Sequence, residues 1–150
     1  MEYTERIKEF ELLIAHLVEA NREIPVVVEG DQDVRCLRAL GLKGTMIKVH
    51  TGKTFYEFCQ DLSAKYPQVI LLMDWDRRGE QIHQQLTRDL DAEWSPYNYF
   101  REGLKFLCYP DIQEVEQLAR LLENLKLLEE KSSHPEQALP TEQGNDLEER

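Results

Sequence analysis

Apolar residues recur at helical spacing from the start of the chain. Ile7, Phe10, Leu13, Ile14 and Leu17 fall on one face and predict a helix over 3–20. Asn21-Arg22 opens a break, and Pro25 prevents simple continuation. Val26-Val27-Val28 is a short β-branched run that suits a strand buried on both faces. Helical spacing returns over 33–40 with Val34, Leu37 and Leu40, and Gly41 is placed to end that helix. Residues 45–49 predict a second strand. Thr54 and Glu57 form a capping box ahead of Phe55, Phe58, Cys59 and Leu62. After Pro67, Val69-Ile70-Leu71-Leu72-Met73 is the most apolar stretch and predicts a third strand, followed by a helix marked by Ile82, Leu86 and Leu90.

Strand and helix thus alternate three times. That pattern predicts an α/β fold, Rossmann-like, with a mostly parallel sheet of three to four strands flanked by helices and joined by right-handed crossovers. A fourth strand would lie near 94–100, within an aromatic-rich stretch over 94–110 broken by Pro96 and Pro110. Phe106 and Cys108 are expected to pack across the sheet. Asp111 with Glu114 reads as the start of a final helix, in which Ile112, Val115, Leu118, Leu122 and Leu125 run to about 128. The expected organisation is an N-terminal helix over 1–23 packed on the domain, a domain over 24–128 that includes the last helix, and an acidic tail over 129–150.

Charge is unevenly distributed. The chain holds 29 acidic and 18 basic residues, a net charge of -11 over 150 residues. Residues 129–150 carry seven acids and two bases with few apolar positions, so they cannot bury enough to offset chain entropy and are expected to be disordered. The acidity excludes a surface coated for simple DNA binding, since phosphate affinity rests on Lys and Arg. No apolar run reaches the roughly 20 residues that span a bilayer. No segment reads as a signal peptide, so a cytoplasmic protein without membrane contact is expected. Cys36, Cys59 and Cys108 lie among apolar neighbours without metal spacing and are expected to be reduced core thiols.

Ligands of open parallel sheets bind at the carboxyl ends of the strands. There the first strand runs into Glu29-Gly30-Asp31-Gln32-Asp33, and the third into Asp74-Trp75-Asp76-Arg77-Arg78-Gly79. Glu29, Asp74 and Asp76 can meet in one pocket. Carboxylates so gathered repel one another, and a hard divalent cation removes that problem, so Mg²⁺ or Mn²⁺ is expected. Strand alternation puts Asp74 and Asp76 on one side with Trp75 facing away. Gly79 allows a tight start to the next helix, whose N-terminus favours anions, and Arg77 and Arg78 add positive charge for a phosphate. Lys53 and His50, after the second strand, reach the same edge. Arg101 and Lys105, one helical turn apart, could form a basic strip beside it. Gly52-Lys53-Thr54 is not a P-loop, because that pattern needs glycine at 47 and Ile47 stands there. His83 reads as a surface histidine.

The segments Val26-Val27-Val28-Glu29-Gly30-Asp31-Gln32-Asp33 and Ile70-Leu71-Leu72-Met73-Asp74-Trp75-Asp76-Arg77-Arg78-Gly79 resemble the glutamate and Asp-x-Asp motifs of the Toprim domain. That domain is shared by topoisomerases, bacterial-type primases, OLD-family nucleases and ribonucleases that mature 5S ribosomal RNA. The wording and short length look most like the small stand-alone Toprim proteins of archaea, and the resemblance covers about 24–93. It implies that Glu29 is a general acid/base that also faces the metal, and that Asp74 and Asp76 hold Mg²⁺. Gly30, Asp33, Lys53, Arg77, Arg78, Gly79 and Arg101 are the expected substrate or phosphate contacts around these residues. A topoisomerase would need a nucleophilic tyrosine in another domain, and a primase a larger assembly. The expectation is therefore a Mg²⁺-dependent nuclease on nucleic acid, RNA favoured over DNA, with a protein partner supplying affinity. The alternative is a non-catalytic, metal-dependent nucleic-acid-binding or adaptor module of a larger processing complex.

Overall fold

A computed structural model describes residues 1–49 and 54–133. Its elements are helix α1 (Tyr3–Asn21), strand β1 (Val26–Val28), helix α2 (Asp31–Ala39), strand β2 (Met46–Lys48) and helix α3 (Phe55–Lys65), then strand β3 (Ile70–Leu71), helix α4 (Arg77–Asp89), helix α5 (Tyr99–Cys108) and helix α6 (Leu118–Ser133). Short 3₁₀ turns precede α5 (Ser95–Tyr97) and α6 (Val115–Gln117). The sheet has three parallel strands in the order β2-β1-β3, with Val26 opposite both Met46 and Ile70. The chain is therefore α/β, mostly helical by length. Among the described residues no helix is long and apolar enough to cross a membrane.

β1 and β3 are buried on both faces, and their residues alternate between two cores. Val26, Val28, Ile70 and Leu72 pack with α1, α2, α5 and α6, through Phe10, Leu17, Leu37, Leu104 and Leu118. Val27, Val69, Leu71 and Met73 face α3 and α4, through Phe58, Leu62 and Leu86. This explains why the strands read as continuous apolar runs rather than alternating ones. Cys36, Cys59 and Cys108 are free and buried. Burial pushes the thiols of Cys59 and Cys108 up to about 11 and about 12, where they are inert.

Local signals act as anticipated. Thr54 Oγ1 accepts from Glu57 N, and Glu57 Oε1 accepts from Thr54 N. Gly41 takes φ +113°, the left-handed conformation that ends α2. Asn21 does more than end α1. It is 1% exposed, and its amide donates to the carbonyls of Ile24 and Thr45 while its oxygen accepts from Gly44 N. One side chain thereby ties the end of α1 to the starts of β1 and β2.

Four expectations are corrected. No fourth strand forms near 94–100: Pro96 sits in a 3₁₀ turn and α5 begins at Tyr99, leaving only a single bridge between Gln68 and Glu93. The last helix does not start at Asp111; residues before Val115 cross the end of β3, and Asp111 pairs with Arg6 at 2.8 Å. The helix also continues to Ser133, because propagating a formed helix costs less than nucleating one; residues 134–150, most of the expected acidic tail, lie outside the described residues. Phe106 is 74% exposed rather than packed across the sheet, while Cys108 beside it is buried.

Candidate metal-binding carboxylate site

Both motifs stand at the carboxyl edge of the sheet, and a hydrogen bond joins them. Glu29, just past β1, accepts the backbone N–H of Asp74 on its Oε2 at 2.9 Å. Asp74 follows β3, and its Oδ1 accepts the N–H of Val115 at 2.7 Å. Asp76 caps α4, its Oδ1 accepting the N–H of Gly79 at 2.7 Å. Trp75, between the two aspartates, turns into the core at 4% exposure, and its indole N–H donates to the Ile112 carbonyl at 2.9 Å. Its backbone N–H donates to the Gln113 carbonyl at 2.9 Å. Residues 112–115 thus form a strap across the Asp-x-Asp segment, held by three hydrogen bonds. The strap's backbone is spent on this contact, which is why the final helix starts later than its Asp111/Glu114 pair suggests.

Gly79 is required for close approach rather than for an unusual backbone angle. A Cβ there would lie 2.0 Å from the carbonyl oxygen of Asp74. Gly79→Ala is expected to destabilise the fold by about 1–3 kcal/mol through overpacking, read as a lower urea midpoint at unchanged slope. An unchanged midpoint would mean that the Asp74 peptide can move aside.

The electrostatics are lopsided. Burial pushes Asp74 up to about 8, with further repulsion from Glu29, Asp33 and Asp76, against the hydrogen bond from Val115. Burial likewise pushes Asp33 up to about 6. Burial, then Glu116, Asp76 and Glu29, hold Glu114 of the strap above the usual carboxylate range. Beside these acids stands Arg78, whose Nη1 lies 3.8 Å from Glu29 Oε1 on a side chain that is 80% exposed. Arg77 is also exposed at the start of α4.

The residues fit a hard divalent cation. Glu29, Asp74 and Asp76 each spend one oxygen on a backbone N–H, and the other oxygen of Glu29 lies 3.8 Å from Arg78 Nη1. Their mutual repulsion is the kind a cation relieves. Among the described residues no three Asp, Glu, His or Cys side chains converge closely enough to hold an ion by themselves. That is compatible with Mg²⁺, which keeps several waters and takes only one or two protein carboxylates.

Other expected positions take different places. Asp33 is 4% exposed, and its Oδ2 accepts from the N–H groups of Glu29 and Gly30 at 3.2 Å. Asp33 therefore holds the Glu29 loop, and the Gly30 N–H is already used. Lys53 and His50 lie outside the described residues. Arg101 is not part of an exposed strip: it is fully buried behind Asp74. Lys105 instead pairs with Glu80 at 2.6 Å. His83 is 9% exposed, not a surface residue, and stands edge-on to Trp94 with centroids 6.2 Å apart. Burial, reinforced by Arg101, lowers it to about 4, so it is neutral at physiological pH. The strap and the buried Arg101 are the parts of the site that sequence reasoning missed.

Comparison with known proteins agrees with this architecture. The Toprim domain family matches residues 25–102. A UPF0292 protein of Thermococcus onnurineus is 31% identical over 135 residues, spanning 89% of this chain and 97% of the relative. A UPF0292 protein of Methanosarcina barkeri is 28% identical over 127 residues, spanning 83% of this chain and 88% of the relative. A solved structure of a protein from Aquifex aeolicus superposes with a TM-score of 0.54 at 28% identity, covering 70% of this chain and 94% of that one.

Proposed function

Given that the chain belongs to the Toprim domain family and to the UPF0292 group of small archaeal proteins, we propose that it is a Mg²⁺-dependent nuclease acting on structured RNA. Toprim domains generally bind Mg²⁺ through acidic residues and are associated with nucleic acid. The observation that carries the reading is the 2.9 Å hydrogen bond from Asp74 N to Glu29 Oε2, which couples a proton-transferring carboxylate to the Asp-x-Asp pair.

Asp74 and Asp76 would hold the ion, with Glu29 facing it. The bound ion would supply charge neutralisation at the non-bridging phosphate oxygens. Glu29, fixed by the Asp74 N–H, moves the proton to or from the sugar oxygen or attacking water. Arg77 and Arg78 are exposed at the start of α4, where a phosphate can reach both them and the helix N-terminus. Asp33 keeps the Glu29 loop in place, and Gly79 keeps α4 close to Asp74.

The test is incubation of the purified chain with panels of structured RNA and DNA, with Mg²⁺, with Mn²⁺ and with EDTA. Cleavage of RNA that requires metal and exceeds any cleavage of DNA is the expected result. Metal-dependent binding to RNA with no turnover on any substrate would overturn the nuclease and favour the adaptor module. Cleavage undiminished in EDTA would overturn the metal assignment.

A further inference from the structure

β1 is the central strand, so β3 pairs with a strand on one side, and on the other its run meets only a bridge to Glu93 near its start. On the paired side, Ile70 and Leu72 donate to the carbonyls of Pro25 and Val27. On the open side the carbonyls at the end of β3 have no strand partner, because 94–100 forms a turn and α5 instead of a fourth strand. A single side chain from α5 takes that place. Arg101 Nε donates to the Met73 carbonyl at 2.8 Å, and Arg101 Nη2 donates to the Asp74 carbonyl at 2.7 Å.

We propose that Arg101 is a positioning residue for the metal site: its planar guanidinium clamps two successive carbonyls and fixes the peptide that aims Asp74. This rests on the reading of Asp74 and Asp76 as Mg²⁺ ligands. Asp74 is held on four sides. Its N–H is on Glu29, its Oδ1 on Val115 N, its carbonyl on Arg101, and Gly79 packs close against that carbonyl. Val115 holds the carboxylate itself, and the clamp on the carbonyl fixes the peptide from which that side chain departs.

A charge-neutralising role for Arg101 does not fit the contacts. Its guanidinium is compensated on the other side by Glu80, 3.3 Å away, which is held in turn by Lys105 at 2.6 Å. The remaining nitrogen, Nη1, makes no hydrogen bond and lies 3.6 Å from Glu102. A fully buried arginine is costly where an apolar residue could fill the space. What an apolar residue cannot supply is two parallel donors in a rigid fork, and lysine cannot supply them either.

The test is calorimetric titration of Mg²⁺ into the metal-free full chain and its Arg101→Lys and Arg101→Met variants, with thermal melts in EDTA to confirm folding. Both variants are expected to bind Mg²⁺ about 10–100-fold more weakly, as when an outer partner of a metal ligand is lost. Should Arg101→Met fail to fold, Arg101→Lys decides alone, since its ammonium cannot hold both carbonyls in the guanidinium's geometry. Wild-type affinity in a folded Arg101→Lys variant would overturn the clamp and leave the metal site standing. A wild-type chain that takes up no Mg²⁺ would overturn the metal site, and the clamp with it.

Discussion

Glu29→Gln is expected to lower metal-dependent RNA cleavage by about 10²–10⁴-fold while the protein stays folded, the range that a positioned acid/base contributes. Glutamine is nearly isosteric, and its carbonyl oxygen can still accept the Asp74 N–H now held by Glu29 at 2.9 Å. The link between the two strand ends therefore survives. What disappears is the capacity to take or give a proton, and one negative charge. The ion pair to Arg78 is lost too, but at 3.8 Å with an arginine 80% exposed it adds little. Single-turnover cleavage over a range of Mg²⁺ concentrations, beside a thermal melt, checks the prediction. Cleavage at the wild-type rate would remove Glu29 from the chemistry. A rate restored by raising Mg²⁺ would show that Glu29 serves as a ligand and not as the proton carrier.

Asp74→Asn should act in two opposite directions. Asp74 has its folded value pushed up to about 8 from 3.8, first by burial. Between those values the folded chain keeps a proton that the unfolded chain has lost. Metal-free stability therefore falls as pH rises from about 4 to about 8, then levels off. Asp33, pushed up to about 6, adds to the lower part of that window. Asparagine removes the Asp74 contribution and can still accept the N–H of Val115 through its oxygen. In EDTA at pH 8 the variant is expected to melt several degrees above wild type, and its stability should change less with pH. Added Mg²⁺ should raise the wild-type midpoint, by linkage to binding, and leave the variant's in place. A variant less stable than wild type in EDTA at pH 8 would show that the Asp74 charge is not a burden on the metal-free fold.

The strands, the first helices and the two acidic motifs were legible because each is encoded locally. Val26–Val28 and Ile70–Leu71 lie in apolar runs bounded by turn residues, and Thr54 and Glu57 cap α3 with their own side chains. The polar residues that organise the interior were not. Asn21, His83 and Arg101 are all buried, and each lies on the apolar stripe of its helix. Asn21 follows Phe10, Ile14 and Leu17; His83 stands between Gly79 and Leu86; Arg101 shares a face with Leu104 and Cys108. A polar residue in register with an apolar stripe is the available signal, and the i, i+4 spacing of Arg101 and Lys105, which suits an exposed basic strip, masks it. The strap over 112–115 left no such trace, since its hydrogen bonds are made by backbone to residues about 40 positions earlier.

The two outer strands of the sheet bear on how the chain behaves in company. The outer side of β3 is plugged by Arg101 near its end, but among the described residues no strand lies beyond β2. β2 is only three residues long, half-exposed, and ends in Lys48, which is paired with Asp31 at 2.7 Å. A strand so short, with a charge at its tip, is a poor template for the backbone of another molecule. The β2 flank therefore resists pairing with the edge of another copy, and crowding many copies together is not expected to extend the sheet from chain to chain through it.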